Sequence, residues 1–168
     1  MKSTDQPFRF FDNREKYLLF VTTTSEKAVT AERVGREFDC IKPKPPALKI
    51  FDAGVGNGTV LSRILREMHC RFPTVPFVVV GKEISLEDTR LCLETLSDRF
   101  NEHPQMVVIL TNLYYSEAPW LEPKRKSARE EQLWWDIPLE GNTAHDFSKQ
   151  ISQLDLQLQQ GWQTKSSP

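Results

Sequence analysis

The sequence predicts an α/β fold built on a mainly parallel sheet, and three observations support that prediction. Short apolar segments alternate with amphipathic helical segments in the first two thirds of the chain. The connections between them are only a few residues long. Residues 77–80 and 106–110 are continuous runs of β-branched and other apolar residues, which is typical of strands buried on both faces. Such an order favours parallel strands joined by right-handed helical crossovers.

The composition excludes several classes of protein. The chain has 168 residues, of which 39% are hydrophobic and 27% charged, as in an ordinary globular domain. Its net charge of −1 gives no basic field, which disfavours nucleic acid as a partner. No apolar run is long enough to span a bilayer, and the N-terminal segment has no stretch of signal-peptide length. We therefore expect a cytoplasmic protein with no membrane partner.

Residues 1–46 are expected to form a helical lead-in and a connector that precede the main domain. Residues 13–39 have helical character, interrupted by a Thr-rich run of modest helix propensity. We expect a break there, with Thr24 or Ser25 capping a second helix. The proline-rich residues 42–46 lack N–H donors and restrict their neighbours, so they predict a stiff connector.

The centre of the chain follows a regular order of strands and helices. A short apolar strand ends at Asp52, and amphipathic helical spacing begins at Thr59. After the second strand, Ser85 and Asp88 form the pattern of a capping box. That box predicts a helix to about Phe100, which the third strand follows.

The main domain is expected to span residues 47–168, and its C-terminal part gives weaker signals. Residues 133–139 are compatible with a further strand, although Asp136 and Pro138 indicate an edge or an interrupted strand. With that strand, and one more at the C-terminal end, the sheet would hold about four or five strands.

A last helix is predicted before the end of the chain. Thr143 and Asp146 form the pattern of another capping box. Apolar residues then recur at helical spacing to about Gln160, and Gly161 suits a helix stop.

Residues 50–58 contain the motif that carries most chemical information. Gly54, Gly56 and Gly58 stand at alternate positions between a buried strand and a helix. Glycine tolerates the unusual φ values of a sharp turn and allows a ligand to approach the backbone. The helix that follows begins with unpaired N–H groups and a partial positive charge. Ligands of open α/β sheets bind at this carboxyl edge.

This arrangement resembles motif I of the class I, Rossmann-like S-adenosylmethionine-dependent methyltransferases. The third glycine comes one residue earlier than in a dinucleotide loop, and Asp52 precedes the first glycine by two positions. The end of the second strand, residues 80–85, is similar to that family's second motif. The resemblance implies a three-layer sandwich around a methyltransferase sheet, with S-adenosylmethionine as the cofactor.

The resemblance also implies roles for individual residues. Gly54, Gly56 and Gly58 would pack against the methionyl and ribose portions of the cofactor. Asp52 would orient the methionyl ammonium, and Glu83 would accept hydrogen bonds from both ribose hydroxyls. The two carboxylates also have structural explanations, as a turn cap and as a solvated charge at a strand end.

Further residues are expected near the adenine and the acceptor. The resemblance implies that Ile84 packs on the adenine face, and that Asn112, at the end of the third strand, contacts the ring. A turn residue is the alternative interpretation of Asn112. Tyr114 and Tyr115 could line a substrate pocket, but we expect them to pack in the interior.

No metal site is predicted. The three cysteines form no Cys-x-x-Cys pair, and His69, His103 and His145 show no ligand spacing. We expect these histidines on the surface or at helix ends.

The leading functional hypothesis is a methyltransferase that acts on a small molecule or a protein, with its catalytic residue unknown. The chain has neither the Asn-Pro-Pro-Tyr nor the Asp-Pro-Pro-Tyr motif of amino-methylating enzymes of the family. A catalytically inactive interaction module and an NAD-dependent oxidoreductase remain as alternatives. The family's sheet usually has seven strands, so we expect either a truncated member or a compact one that pairs with itself, as a homo-oligomer, or with another subunit.

Overall fold

The computed structural model describes residue 19 and residues 25–162. Within that part the helices are Glu26–Arg36 (α1), Thr59–Arg71 (α2), Leu86–Glu102 (α3), Lys126–Glu130 (α4), Ala144–Ser152 (α5) and Asp155–Gly161 (α6). The strands are Leu48–Asp52 (β1), Phe77–Lys82 (β2) and Met106–Thr111 (β3), and short 3₁₀ turns span Glu37–Cys40 and Ala118–Trp120. None of the described helices is long and apolar enough to cross a lipid bilayer.

The three strands form one parallel sheet in the order β1-β2-β3, so the predicted α/β class is confirmed. Ile50 lies beside Val79, which in turn lies beside Val108. The helices α2 and α3 connect the strands and pack against each other. Because the strands follow each other in one direction, crossovers of the same hand place both helices on the same face.

The core lies between that face and the two crossover helices. Strand residues alternate between faces, and the set that points at the helices is the apolar one. The side chains of Leu61, Leu65 and Leu96 are at most 1% exposed. Burial of each contributes about 1.5–3 kcal/mol. The other core members are Phe38, Val55, Met68, Phe77, Val79 and Cys92.

Among the described residues, the opposite face of the sheet is covered only in part, since Val80 and Lys82 on that face are buried. Val107 is 56% exposed and Phe51 is 39% exposed, and both point away from the crossover helices. The described residues therefore form a sheet with one full helical layer, which is less than the three-layer sandwich with an incomplete sheet that we expected. They also contain three strands instead of four or five.

The N-terminal segment packs onto the same core. The helix α1 lies against α2, and Phe38 from the following 3₁₀ turn is only 4% exposed. Ser25 occupies the N-cap position of α1, although its side chain forms no capping hydrogen bond. Apart from residue 19, the helical segment expected between residues 13 and 24 lies outside the described residues.

The prediction of a strand at residues 133–139 is wrong. This segment is irregular, and Leu133 and Trp134 are 63% and 58% exposed. Asp136 and Pro138 explain the failure, because both are poor strand formers and proline lacks a ladder donor.

The capping box of Thr143 and Asp146 is confirmed, but the helix that it starts is divided into two. A tight turn follows α5, in which the N–H of Leu154 donates to the carbonyl of Ile151 at 3.0 Å. The turn redirects α6 so that Asp155 forms an ion pair with Arg90 on α3.

All three histidines are at helix ends, as expected, and two of them are buried. His69 is 6% exposed and His103 is 2% exposed, and their rings lie 4.8 Å apart beside Phe77. Nδ1 of His69 lies 3.4 Å from Glu102. Burial, and after it His103 and Arg99, lowers the pKa of His69 from 6.5 to about 4.

This histidine should make the fold sensitive to acid. The folded protein resists protonation of His69, whereas the unfolded chain accepts a proton near its ordinary pKa of 6.5. Stability from this group is therefore full above pH 6.5 and falls by about 2–3 kcal/mol as the pH drops toward 4.

Urea unfolding at pH 7 and pH 5 measures the effect. His69→Gln should reduce the loss of stability between the two pH values, while His145→Gln, on the exposed part of α5, should leave it unchanged. An equal loss in all three proteins would contradict the assignment.

Candidate functional site

The glycine loop connects β1 to α2. Its backbone conformation requires glycine at two of the three glycine positions. Gly56 has φ of 52° and Gly58 has φ of 76°, so both lie in the left-handed region. Gly58 occupies the N-cap position of α2. Oδ1 of Asn57 accepts hydrogen bonds from the N–H and the hydroxyl of Thr59, at 3.3 and 2.9 Å. It also accepts one from Nζ of Lys27 at 2.6 Å, which connects the loop to α1.

Glu83 holds this loop against the end of the second strand. Its Oε2 accepts a hydrogen bond from the N–H of Gly56 at 2.9 Å. Its Oε1 accepts from the N–H groups of Ile84 and Ser85, at 2.8 and 2.9 Å. Since β1 and β2 are parallel neighbours, their carboxyl ends meet and bring the two motifs into contact.

The amide groups of the loop are already used within the protein. Gly54 donates to Oδ1 of Asp52 at 3.2 Å, and Gly58 donates to the carbonyl of Val55 at 3.0 Å. Val55 itself donates to the carbonyl of Lys82 at 3.1 Å. Asp52 therefore caps the turn through one carboxylate oxygen.

The three glycines serve different purposes. A Cβ atom added at Gly54 or Gly56 would meet no atom within 4 Å, so space beside these residues is open. A Cβ at Gly58 would lie 2.9 Å from Sγ of Cys92 and 3.0 Å from its Cα. Gly58 thus allows α2 to approach α3, and it does not face the open side as we expected of all three glycines.

Cys92 is a packing residue beneath the loop. It is fully buried, and burial raises the pKa of its thiol to about 12, with further contributions from Asp52, Glu83 and Asp88. At neutral pH the thiol stays protonated, which excludes a thiolate nucleophile at this position.

Ile84 and Asn112 lie at the same edge of the sheet. The N–H of Glu83 donates to the carbonyl of Thr111 at 2.9 Å, which joins the end of β2 to the end of β3. Ile84 is 57% exposed, and Asn112 is half-buried. The structure thus brings the predicted site residues to one edge, where Asp52 bonds to Gly54 and Glu83 bonds to Gly56.

A cleft of about 1710 Å³ opens next to these residues, along β3. Tyr114, Tyr115 and Trp134 line it and are 62%, 64% and 58% exposed. The prediction that both tyrosines pack in the interior is therefore wrong. No residue of the glycine loop lines the cleft. Ile84 and Asn112 line it and are also among the predicted cofactor residues.

Lys82 is the site residue that the sequence analysis missed. It lines the cleft, is only 5% exposed, and places Nζ 4.4 Å from the centre of the Tyr115 ring. The available signal was a lysine at the end of an otherwise apolar buried strand, directly before Glu83.

Within the described ranges, no group of three or more His, Cys, Asp or Glu residues is placed to hold a metal ion. Comparisons with protein-family profiles, curated protein sequences and solved structures find no match to this chain.

The different roles of the glycines can be tested by measuring the stability of glycine-to-alanine variants. Gly58→Ala combines a left-handed φ with a clash against Cys92, so it should lower the free energy of unfolding by about 2–4 kcal/mol. Gly54→Ala, in open space and without a positive φ, should change it by less than about 1 kcal/mol. Chemical denaturation of both variants measures the difference, and equal losses would refute this division of roles.

Proposed function

We propose that this chain is an S-adenosylmethionine-dependent methyltransferase whose cofactor lies over Gly54 and Gly56, beside Glu83. One observation carries the proposal: the open side of the glycine loop and the carboxylate at the end of β2 are held together by a 2.9 Å hydrogen bond. The open space at Gly54 and Gly56 suits a ligand that contacts the backbone closely. The parallel α/β sheet supports this placement, because such folds bind ligands at the carboxyl ends of their strands.

The hydrogen bonds of the loop favour this cofactor over a dinucleotide. A pyrophosphate at such a loop needs free backbone N–H donors. Here the N–H groups of Gly54, Gly56 and Gly58 donate to Asp52, Glu83 and Val55. S-adenosylmethionine carries no phosphate, so it does not require those donors. The NAD-dependent oxidoreductase is accordingly the weaker hypothesis.

The carboxylates offer acceptors that match the remaining groups of the cofactor. Glu83 has about four acceptor positions and uses three of them on backbone amides, so one position on Oε2 is left for a ribose hydroxyl. The two-hydroxyl grip that we expected requires Glu83 to release one amide. Oδ2 of Asp52 accepts no hydrogen bond from the described residues, which leaves it for the methionyl ammonium.

When bound, S-adenosylmethionine supplies an activated methyl group that an acceptor lone pair takes up, leaving the thioether S-adenosylhomocysteine and the acceptor's proton. This chain's part is then to position the reacting groups, which can account for much of the acceleration. The acceptor is a small molecule or a protein, and the cytoplasm is the proposed location.

The exposed face of the sheet favours one alternative, a non-catalytic interaction module of the same fold. Val107 and Phe51 lie exposed where a complete sandwich would cover them. Transfer of labelled methyl groups to any acceptor by the purified chain would exclude this alternative.

Calorimetric titration with S-adenosylhomocysteine tests cofactor binding. The wild-type chain should bind, and Gly54→Val should weaken binding at least tenfold because its side chain fills the open space, with little change in melting temperature. Gly35→Ala, in α1, is the control, since its added Cβ makes only an ordinary contact with Glu67. A folded wild-type protein that gives no heat at high micromolar ligand would refute the proposal.

Glu83→Gln separates a structural from a binding role. Its neutral amide retains one acceptor oxygen, so the hydrogen bonds to Gly56 and Ser85 cannot both persist. We expect a stability loss of about 1–3 kcal/mol together with at least tenfold weaker binding. Glu94→Gln, on the exposed side of α3, should change neither quantity. Unchanged affinity in a destabilised Glu83→Gln protein would assign Glu83 to the fold alone.

A further inference from the structure

We propose that the cleft beside β3 binds a small planar molecule that bears a carboxylate, and that Lys82 is the charge partner of that carboxylate. The proposal rests on the proposed function in one respect: if the chain transfers methyl groups, this molecule is the acceptor.

The side chain of Lys82 lies in an unusual environment for a lysine. Only 5% of the surface of this residue is exposed, yet its side chain forms no hydrogen bond or ion pair with the residues that the structure describes. Its ammonium contacts the ring of Tyr115. Lysine is almost never buried to this extent without a partner, because removing its charge from water is costly. An anionic ligand in the cleft would provide the missing partner.

Neighbouring carboxylates do not fill this role. Glu83 follows Lys82 directly but accepts three backbone hydrogen bonds. Glu117 is buried near the same face, and its Oε1 accepts from the N–H of Lys124 at 2.8 Å. A charge partner for Lys82 would therefore have to come from outside the described residues.

The aromatic lining indicates the shape of the ligand. Tyr114, Tyr115 and Trp134 expose more than half of their surfaces within one cleft. Clustered exposed aromatic rings are uncommon on a protein surface without a binding role. Flat rings favour stacking against another flat group, and their polar atoms tolerate water at the entrance.

The cleft also lies beside the proposed cofactor site. The carbonyl of Lys82 accepts a hydrogen bond from Val55 in the glycine loop, at 3.1 Å. Glu83, the proposed ribose ligand, is the next residue. A carboxylate held by Lys82 would thus lie in the same cleft that the predicted adenine residues Ile84 and Asn112 line.

Two matched probes test the charge partner: 2-naphthoate and its uncharged analogue 2-naphthamide. Calorimetry on the full chain without cofactor should show that naphthoate binds at least tenfold more tightly than naphthamide. Lys82→Met should reduce this preference to less than twofold. Lys49→Met removes an exposed lysine from β1 and should preserve the preference. Equal affinities for the two probes, or a preference that survives in folded Lys82→Met, would overturn the proposal.

A second measurement on the wild-type chain applies if Lys82→Met does not fold. Acetylation of lysines by an N-hydroxysuccinimide ester is followed by peptide mass spectrometry, with Lys49 as the internal reference. Naphthoate should slow the acetylation of Lys82 at least fivefold, and naphthamide should not. The absence of protection by naphthoate would refute the proposal. Because no cofactor is present, naphthoate binding without S-adenosylhomocysteine binding would refute only the methyltransferase, and the reverse result would refute only this acceptor site.

Discussion

The site depends on one carboxylate that accepts three backbone hydrogen bonds. Glu83 fixes the N–H groups of Gly56, Ile84 and Ser85, so it joins the loop after β1 to the turn after β2. Hydrogen bonds to a charged acceptor are stronger than neutral ones, and those from Gly56 and Ser85 are partly shielded from water. The open side of the glycine loop is held in place by this contact, and Lys82 is positioned by the same strand end.

The fold between residues 48 and 111 was predictable because its signals are local. Each strand there is a short apolar run followed by a polar or glycine-containing turn, and each helix presents a regular apolar side. In residues 133–139 the local signals conflict, because Asp136 and Pro138 disfavour the strand that the apolar residues indicate. The path of this segment depends on contacts such as that between Trp135 and Gly161, which no local pattern reveals.

The candidate site was predictable to the extent that it lies at the ends of adjacent strands. Asp52, Gly56 and Glu83 follow directly from the motif order, and the structure brings them together. The distinct role of Gly58 depends on how closely α2 approaches Cys92, and the burial of Lys82 depends on the chain after β3. Both are properties of tertiary packing between segments far apart in the sequence.

The contact between Gly58 and Cys92 gives the protein an internal reporter. A reagent that alkylates thiols reaches the exposed Cys40 and Cys70 from solution, but it reaches Cys92 only after α2 and α3 separate. That separation also displaces the start of α2 and, with it, the glycine loop. The alkylation rate of this thiol, relative to the other two, therefore measures how often the loop region opens, and a ligand that closes the loop would slow it.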